Sequence, residues 1–161
     1  MRDPHRNPFD ASDTARHAIW EMLVPRDIDA FLAADWSRVA GDFVAEGFIG
    51  IDARRETDPG LWRLAFPSLD RYRATWLEQA EDFARQSFAE DPRAAIFATT
   101  LLDEIQVVGD VALARKRFDG GLRRQDGGFD AMTWQTLYAC RLHEGRWKIC
   151  GFTGYLPNPM G

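Results

Sequence analysis

Apolar residues are spaced as helices in the first half of the chain and alternate as strands in the second. The opening, Met1 to Ser12, has no periodic apolar pattern, so residues 1–13 are expected to form a mobile arm with too little surface to bury. Ala15, Ala18, Ile19, Met22 and Leu23 then make one helical stripe, with Asp13 or Thr14 as its cap. Pro25, which lacks an amide hydrogen, is expected to end that helix. Asp27 reads as the cap of a short helix through Ala34, and Asp35 as the cap of another carrying Trp36, Val39, Ala40 and Phe43. Gly47 to Asp52 suits a short strand, and Asp58-Pro59-Gly60 a turn. From the cap Ser68, the residues Leu69, Tyr72, Trp76, Ala80, Phe83, Ala84 and Phe88 predict a long helix.

After Asp91-Pro92 the chain turns to runs of β-branched and aromatic residues, separated by Gly109-Asp110, Gly120-Gly121, Gly127-Gly128 and Glu144-Gly145. These predict four consecutive antiparallel strands. If Gly109-Asp110 is a two-residue loop, Val108 faces Val111, Ile105 faces Ala114, Glu104 faces Arg115, Asp103 faces Lys116 and Leu101 faces Phe118. Both acids then meet bases. Around Glu144-Gly145, Leu142 faces Trp147, Cys140 faces Ile149, Tyr138 faces Gly151, Thr136 faces Thr153 and Trp134 faces Tyr155, which makes one face strongly aromatic. Leu137 and Phe152 fall on the reverse face. Cys140 and Cys150 lie on opposite faces of this hairpin, so two free thiols are expected.

The 161 residues are enough for one domain, expected over 14–156 with a tail over 157–161. A net charge of −5 gives no general attraction to nucleic acid or to anionic membranes, and neither is expected as a partner. The polar opening lacks the apolar core of a secretory signal, and two cysteines do not make a disulfide framework, so a soluble cytoplasmic setting is expected. His5, His17 and His143 are scattered and form no metal-ligand spacing, and no cofactor motif is present. Arg115-Lys116-Arg117 and Arg123-Arg124 read as a solvated rim, because alternation splits neighbours between faces and acidic partners cancel charge. Gly120-Gly121 and Gly127-Gly128 bracket a loop that could act as a lid.

Helices, a short strand, a long helix and then four antiparallel strands is the order of an α+β cone, in which N-terminal helices pack in the concave face of a curved, mainly antiparallel sheet. The segment Asp35 to Asp52 (DWSRVAGDFVAEGFIGID) resembles the opening of the nuclear transport factor 2-like superfamily. The segment Gly145 to Phe152 (GRWKICGF) is similar to its last strand, and together with Val107 to Arg115 the resemblance spans roughly residues 14 to 156. That group includes ketosteroid isomerases, scytalone dehydratase and polyketide cyclases. The resemblance implies an apolar pocket for a small apolar molecule and a homodimer formed through the outer sheet face. Chemistry, if present, would be cofactor-free isomerisation, dehydration or cyclisation. The alternative is a non-catalytic binding or dimerisation module with a filled core.

Each candidate residue has two readings. Asp52 ends the first strand, where isomerase-like members of the superfamily place a general base, but a strand-end carboxylate also accepts turn hydrogen bonds. Asp103 has apolar neighbours on its face and would line the cavity beside Lys116 if that face is concave; with the sheet turned over, both point outward. Tyr138, Trp134 or His17 are the candidate donors, with His17 and Trp20 near the position where the superfamily's isomerases carry a tyrosine. Neither matches it. Trp134, Thr136, Thr153 and Tyr155 complete the candidate ligand-binding set, and they either line a cavity or fill a core.

Overall fold

The computed structural model describes residues 1–159. Helix α1, Thr14–Glu21, opens on Asp13, whose side chain accepts the Arg16 amide. Pro25 does not end the helical path. The backbone widens into a π turn over Met22–Arg26, which contains the proline, and continues as α2, Asp27–Leu32. Asp27 is therefore inside a continuous helical segment and caps nothing, which leaves its carboxylate free for another use. Asp35 does cap the following turn, accepting from Ser37, but two short 3-10 turns, Trp36–Arg38 and Ala40–Asp42, replace the expected helix.

Strand β1, Ile49–Asp52, is followed by a 3-10 turn at Pro59–Leu61 and by β2, Arg63–Phe66, which alternation did not reveal. Helix α3, Leu69–Ala84, starts at Ser68, whose hydroxyl accepts the Arg71 amide. Helix α4, Pro92–Thr99, was also missed, although Asp91 accepting the Ala94 amide and Pro92 in the first turn are an ordinary helix start. Six strands follow: β3 (Thr100–Val108), β4 (Val111–Phe118), β5 (Gly120–Arg123), β6 (Phe129–Met132), β7 (Trp134–His143) and β8 (Arg146–Pro157). The main sheet runs β2-β1-β8-β7-β4-β3, antiparallel except that β1 lies parallel to β8, while β5 and β6 form a separate ribbon. The helices and core pack on the concave side, so the α+β roll expected from the element order is what the chain forms.

Both hairpin loops sit where expected, with Val108 opposite Val111 and His143 opposite Arg146, but each hairpin departs from simple counting farther out. Between Leu101 and Glu104 the β3–β4 ladder carries one extra residue, so Leu101 pairs with Arg117 and Thr100 with Phe118. Asp103 is thereby turned to the outer face, where it meets Arg117 at 2.7 Å instead of Lys116. In β8 the ladder shifts by one residue between Ile149 and Gly151. Tyr138 now pairs with Phe152, and Leu137 with Thr153, so Phe152 comes to the concave side and Thr153 leaves it. The same shift removes the expected Thr136–Thr153 and Trp134–Tyr155 pairs, and a second one, before Leu156, brings Gln135 opposite Leu156 and Trp134 opposite Pro157. Gly151 is required by the sheet: a Cβ there would lie 2.5 Å from the Ile49 carbonyl oxygen, so glycine lets β1 approach β8.

The opening segment is docked on the domain. Arg2 donates to the Thr100 carbonyl at 3.0 Å, His5 stacks on Phe97, Asn7 donates to the His17 carbonyl at 3.1 Å, and Phe9 packs against the core. Of the expected tail, Pro157 closes β8 and Asn158 donates to the Phe118 carbonyl at 2.9 Å; residues 160 and 161 lie outside the described residues. Asp42, 1% exposed, receives Arg26 through two bonds of 2.7 and 2.9 Å and is also bonded by Arg146. That clamp ties the π turn, the second 3-10 turn and the start of β8 together. Among the described residues no helix is long and apolar enough to cross a membrane.

Candidate functional site

The concave side is not filled. A cavity of about 410 Å³ lies between α2, α3 and the sheet, a size typical of small-molecule sites. Its walls are aromatic: Phe31, Phe66, Tyr72, Trp76, Phe118, Trp134, Tyr138, Phe152 and Tyr155 all line it. The α3 stripe supplies Tyr72 and Trp76, and β7 alternation supplies Trp134, Thr136 and Tyr138. Exposed Gln79 and Asp82 of α3 and Gln86 just after it, with Ala131 of the β5–β6 ribbon, mark the mouth.

One ion pair sits on this lining. Lys116 is 1% exposed, and its Nζ donates to Asp27 Oδ2 at 2.9 Å and to the Leu23 carbonyl in the π turn. The two partners differ in solvation: the lysine side chain is 2% exposed and that of Asp27 34%, so the carboxylate opens into the cavity while the ammonium is sealed behind it. Two phenols feel the same carboxylate. Burial first, and the Asp27 charge second, push the hydroxyls of Tyr72 and Tyr138 well above the ordinary tyrosine range. Both therefore stay protonated as neutral hydrogen-bond donors. Burial also raises Tyr155, an effect partly opposed by neighbouring Gln79. A carboxylate that can accept a proton, beside neutral donors in an apolar enclosure, is a set suited to acid–base chemistry on a carbonyl or hydroxyl compound.

Of the residues expected from the sequence, Lys116, Trp134, Thr136, Tyr138 and Tyr155 are gathered on the cavity lining. The others are not among its lining residues. Asp52 accepts the Arg54 amide at 2.8 Å, which is the turn-capping reading of that residue. Asp103 is on the outer face, because of the β3 bulge. His17 is half-buried beneath the docked N-terminal segment, with Nδ1 3.0 Å from the Phe9 carbonyl. Trp20 is in the core, 4% exposed, and Thr153 is turned away by the β8 bulge.

Asp27, Tyr72 and Phe152 are among the lining residues that the sequence reading passed over. The signal for Tyr72 was present, since a hydroxyl within an otherwise apolar helical stripe needs a polar neighbour. Asp27 was hidden by its plausibility as a cap. Both cysteines are free; Cys140 is buried, and burial pushes its thiol up to about 12, so it has the character of a small core residue and not of a nucleophile. The basic runs are internally paired: Arg115 with Glu104, Arg117 with Asp103, Arg123 with Glu90, and Arg124 with Asp126 and Asp130. Among the described residues no group of three or more His, Cys, Asp or Glu is placed to hold a metal ion.

The cone fold has close counterparts among solved structures. An NTF-2-like protein of unknown function from Silicibacter pomeroyi superposes with a TM-score of 0.55 at 18% identity, covering 91% of this chain and 98% of that one. A domain of unknown function with a cystatin-like fold from Nostoc punctiforme gives 0.56 at 14% identity, covering 91% and 78%. An NTF2-like protein with a cystatin-like fold from Novosphingobium aromaticivorans gives 0.52 at 16% identity, covering 92% and 91%. No model of a known protein family matches the chain, and no curated protein does. The chain has the nuclear transport factor 2-like, cystatin-like fold. At these identities the likeness speaks for architecture alone.

Proposed function

We propose that this protein binds a small, largely apolar molecule in its cone and acts on it by cofactor-free acid–base chemistry. The observation that carries this reading is the Asp27 carboxylate, held by a sealed lysine and opening into an aromatic cavity that two protonated phenols also line. In the reaction so inferred, Asp27 takes a proton from a carbon or hydroxyl of the ligand. The phenol of Tyr138 or Tyr72 donates a hydrogen bond to the oxygen on which negative charge develops. Asp27 then returns the proton to a different atom, as an isomerase or cyclase requires, or to a leaving hydroxyl, which departs as water. Lys116 positions Asp27 and does not itself move a proton. This assignment replaces Asp52 and Asp103 with Asp27 as the base, drops His17 as a donor and keeps Tyr138.

A thermal-shift screen with steroids, polyketide fragments and terpenoids tests binding. At least one class is expected to raise the melting temperature, because a ligand that binds only the folded state stabilises it. A turnover assay on that class then tests the chemistry. Tyr138→Phe is expected to lower kcat by about 10²–10³, as loss of one oxyanion donor does, with little change in melting temperature. Binding without turnover in the wild type would leave a ligand carrier and remove the catalytic half of the reading.

The outer face also supports the expected homodimer. Val111, Leu113 and Leu137 are 54, 43 and 40% exposed there, an apolar surface that a second copy would cover. Sedimentation should give a dimer mass for the wild type and a monomer for Leu113→Glu/Leu137→Glu; a monomeric wild type would refute the pairing.

A further inference from the structure

The loop after β1 carries two successive arginines in the left-handed backbone region, Arg54 at φ 55° and Arg55 at φ 60°. Side chains other than glycine persist there only where the surroundings hold them. Here Asp52 Oδ1 accepts the Arg54 amide at 2.8 Å, Ala53 donates to the Gly154 carbonyl at 2.8 Å, and Arg55 donates to the Tyr155 carbonyl at 2.7 Å. These bonds stitch the loop to the end of β8. They set the exposed Arg55 guanidinium over the indole of Trp134, 5.5 Å from the ring centroid.

Trp134 and Tyr155 both line the cavity, so Arg55 stands at its rim. The acids of this loop and of the cavity mouth form no ion pair with it, Glu56 included, and most are engaged elsewhere. Asp52 bonds the Arg54 amide, Asp58 bonds the Gly60 amide at 2.9 Å, Asp130 is paired with Arg124, and Asp82 is paired with Arg85. Among the described residues Arg55 has no carboxylate within 4.0 Å. From the interior outward, Lys116 Nζ lies 5.3 Å from the centroid of Phe118, and Phe118 lies 5.1 Å from Trp134. One aromatic run is thus bracketed by two cations. The inner one is neutralised by Asp27 and the outer one is not.

The geometry points to Arg55 as an anion-reading site at the cavity mouth, and so to an amphipathic acid as the ligand: an apolar or aromatic body inside, with a carboxylate, sulfonate or phosphate at the solvent end. The guanidinium is always charged and offers a planar fork of donors while its face rests on the indole, which suits an oxyanion better than a flexible ammonium does. Asp52 is a positioning residue, acting through the Arg54 amide. This inference rests on the cavity being a ligand site.

Two fluorescent probes separate the claims, because 1-anilinonaphthalene-8-sulfonate and N-phenyl-1-naphthylamine share one aromatic body and differ by the sulfonate. Both should bind the wild type and displace each other, which identifies one shared site. Arg55→Gln is expected to weaken the sulfonate about three- to fivefold, the effect of one exposed charge contact, and to leave the neutral probe within about twofold. That loss should shrink in high salt. Asp52→Ala should reproduce it, whereas Asp52→Asn, which keeps an oxygen acceptor for the Arg54 amide, should not. Equal weakening of both probes, or no change in either, overturns the assignment of Arg55 while the cavity reading stands. If neither probe binds the wild type, the cavity reading itself fails and the anion site goes with it.

Discussion

Removing both guanidiniums from Asp42, in Arg26→Ala/Arg146→Ala, is expected to cost about 4–5 kcal/mol of stability, while each single variant costs only about 1.5 kcal/mol. The inequality follows from the geometry. Asp42 is 1% exposed and both arginines bond it, so either one alone still neutralises the buried carboxylate. Only the double variant strands a charge without a partner. At roughly 2–4 °C per kcal/mol for a domain of this size, the double variant should melt about 8–20 °C below the wild type. Urea denaturation of the four proteins measures the coupling directly, and strictly additive losses would contradict the clamp. The effect reaches beyond stability, because Arg26 belongs to the π turn that precedes Asp27.

The Asp27–Lys116 pair should behave asymmetrically. Asp27→Leu leaves an ammonium that is 2% exposed with the Leu23 carbonyl as its one remaining hydrogen-bond partner among the described residues, and is expected to cost about 3–5 kcal/mol. Lys116→Met leaves a carboxylate that is 34% exposed and can be solvated from the cavity, so the loss should be smaller, about 1–2 kcal/mol. The double variant, Asp27→Leu/Lys116→Met, removes both charges from an apolar site and should return to within about 1 kcal/mol of the wild type. It should nevertheless have no turnover. Recovery of stability without recovery of chemistry is the signature of a pair kept for function; a double variant as unstable as Asp27→Leu would place its value in structure instead.

How far the site could be read from the residues depends on what each inference rested on. Alternation in β7 correctly placed Trp134, Thr136 and Tyr138 on one face, because a strand without an irregularity obeys its period. The same counting failed for Asp103, Phe152 and Thr153, since each lies beyond a position where one strand carries an extra residue, and a single insertion reverses every side chain after it. Loop chemistry located both hairpin turns but carries no information on bulges farther along. Asp27 was missed for a different reason. Proline was assumed to stop a helix, whereas the π turn absorbs it and carries the chain on, so the acid that looked like a terminus became an interior residue with a free carboxylate. Helix α4 was overlooked because Ile96 and Phe97 suit a strand as well as a helix, although Asp91-Pro92 marked the start.

The irregularity in β8 also bears on how such a framework diversifies. Phe152 and Gly154 reach the lining because Cys150 is the extra residue of that offset. Deleting Cys150 would straighten the ladder and still leave Phe152 opposite Tyr138, whereas one residue added between Gly151 and Phe152 would send Phe152 outside and bring Thr153 into the place of Gly154. In this architecture the chamber keeps its wall through a one-codon loss at the bulge, while a one-codon gain beside it reverses the facing of the strand end, a change that no single amino-acid replacement could achieve.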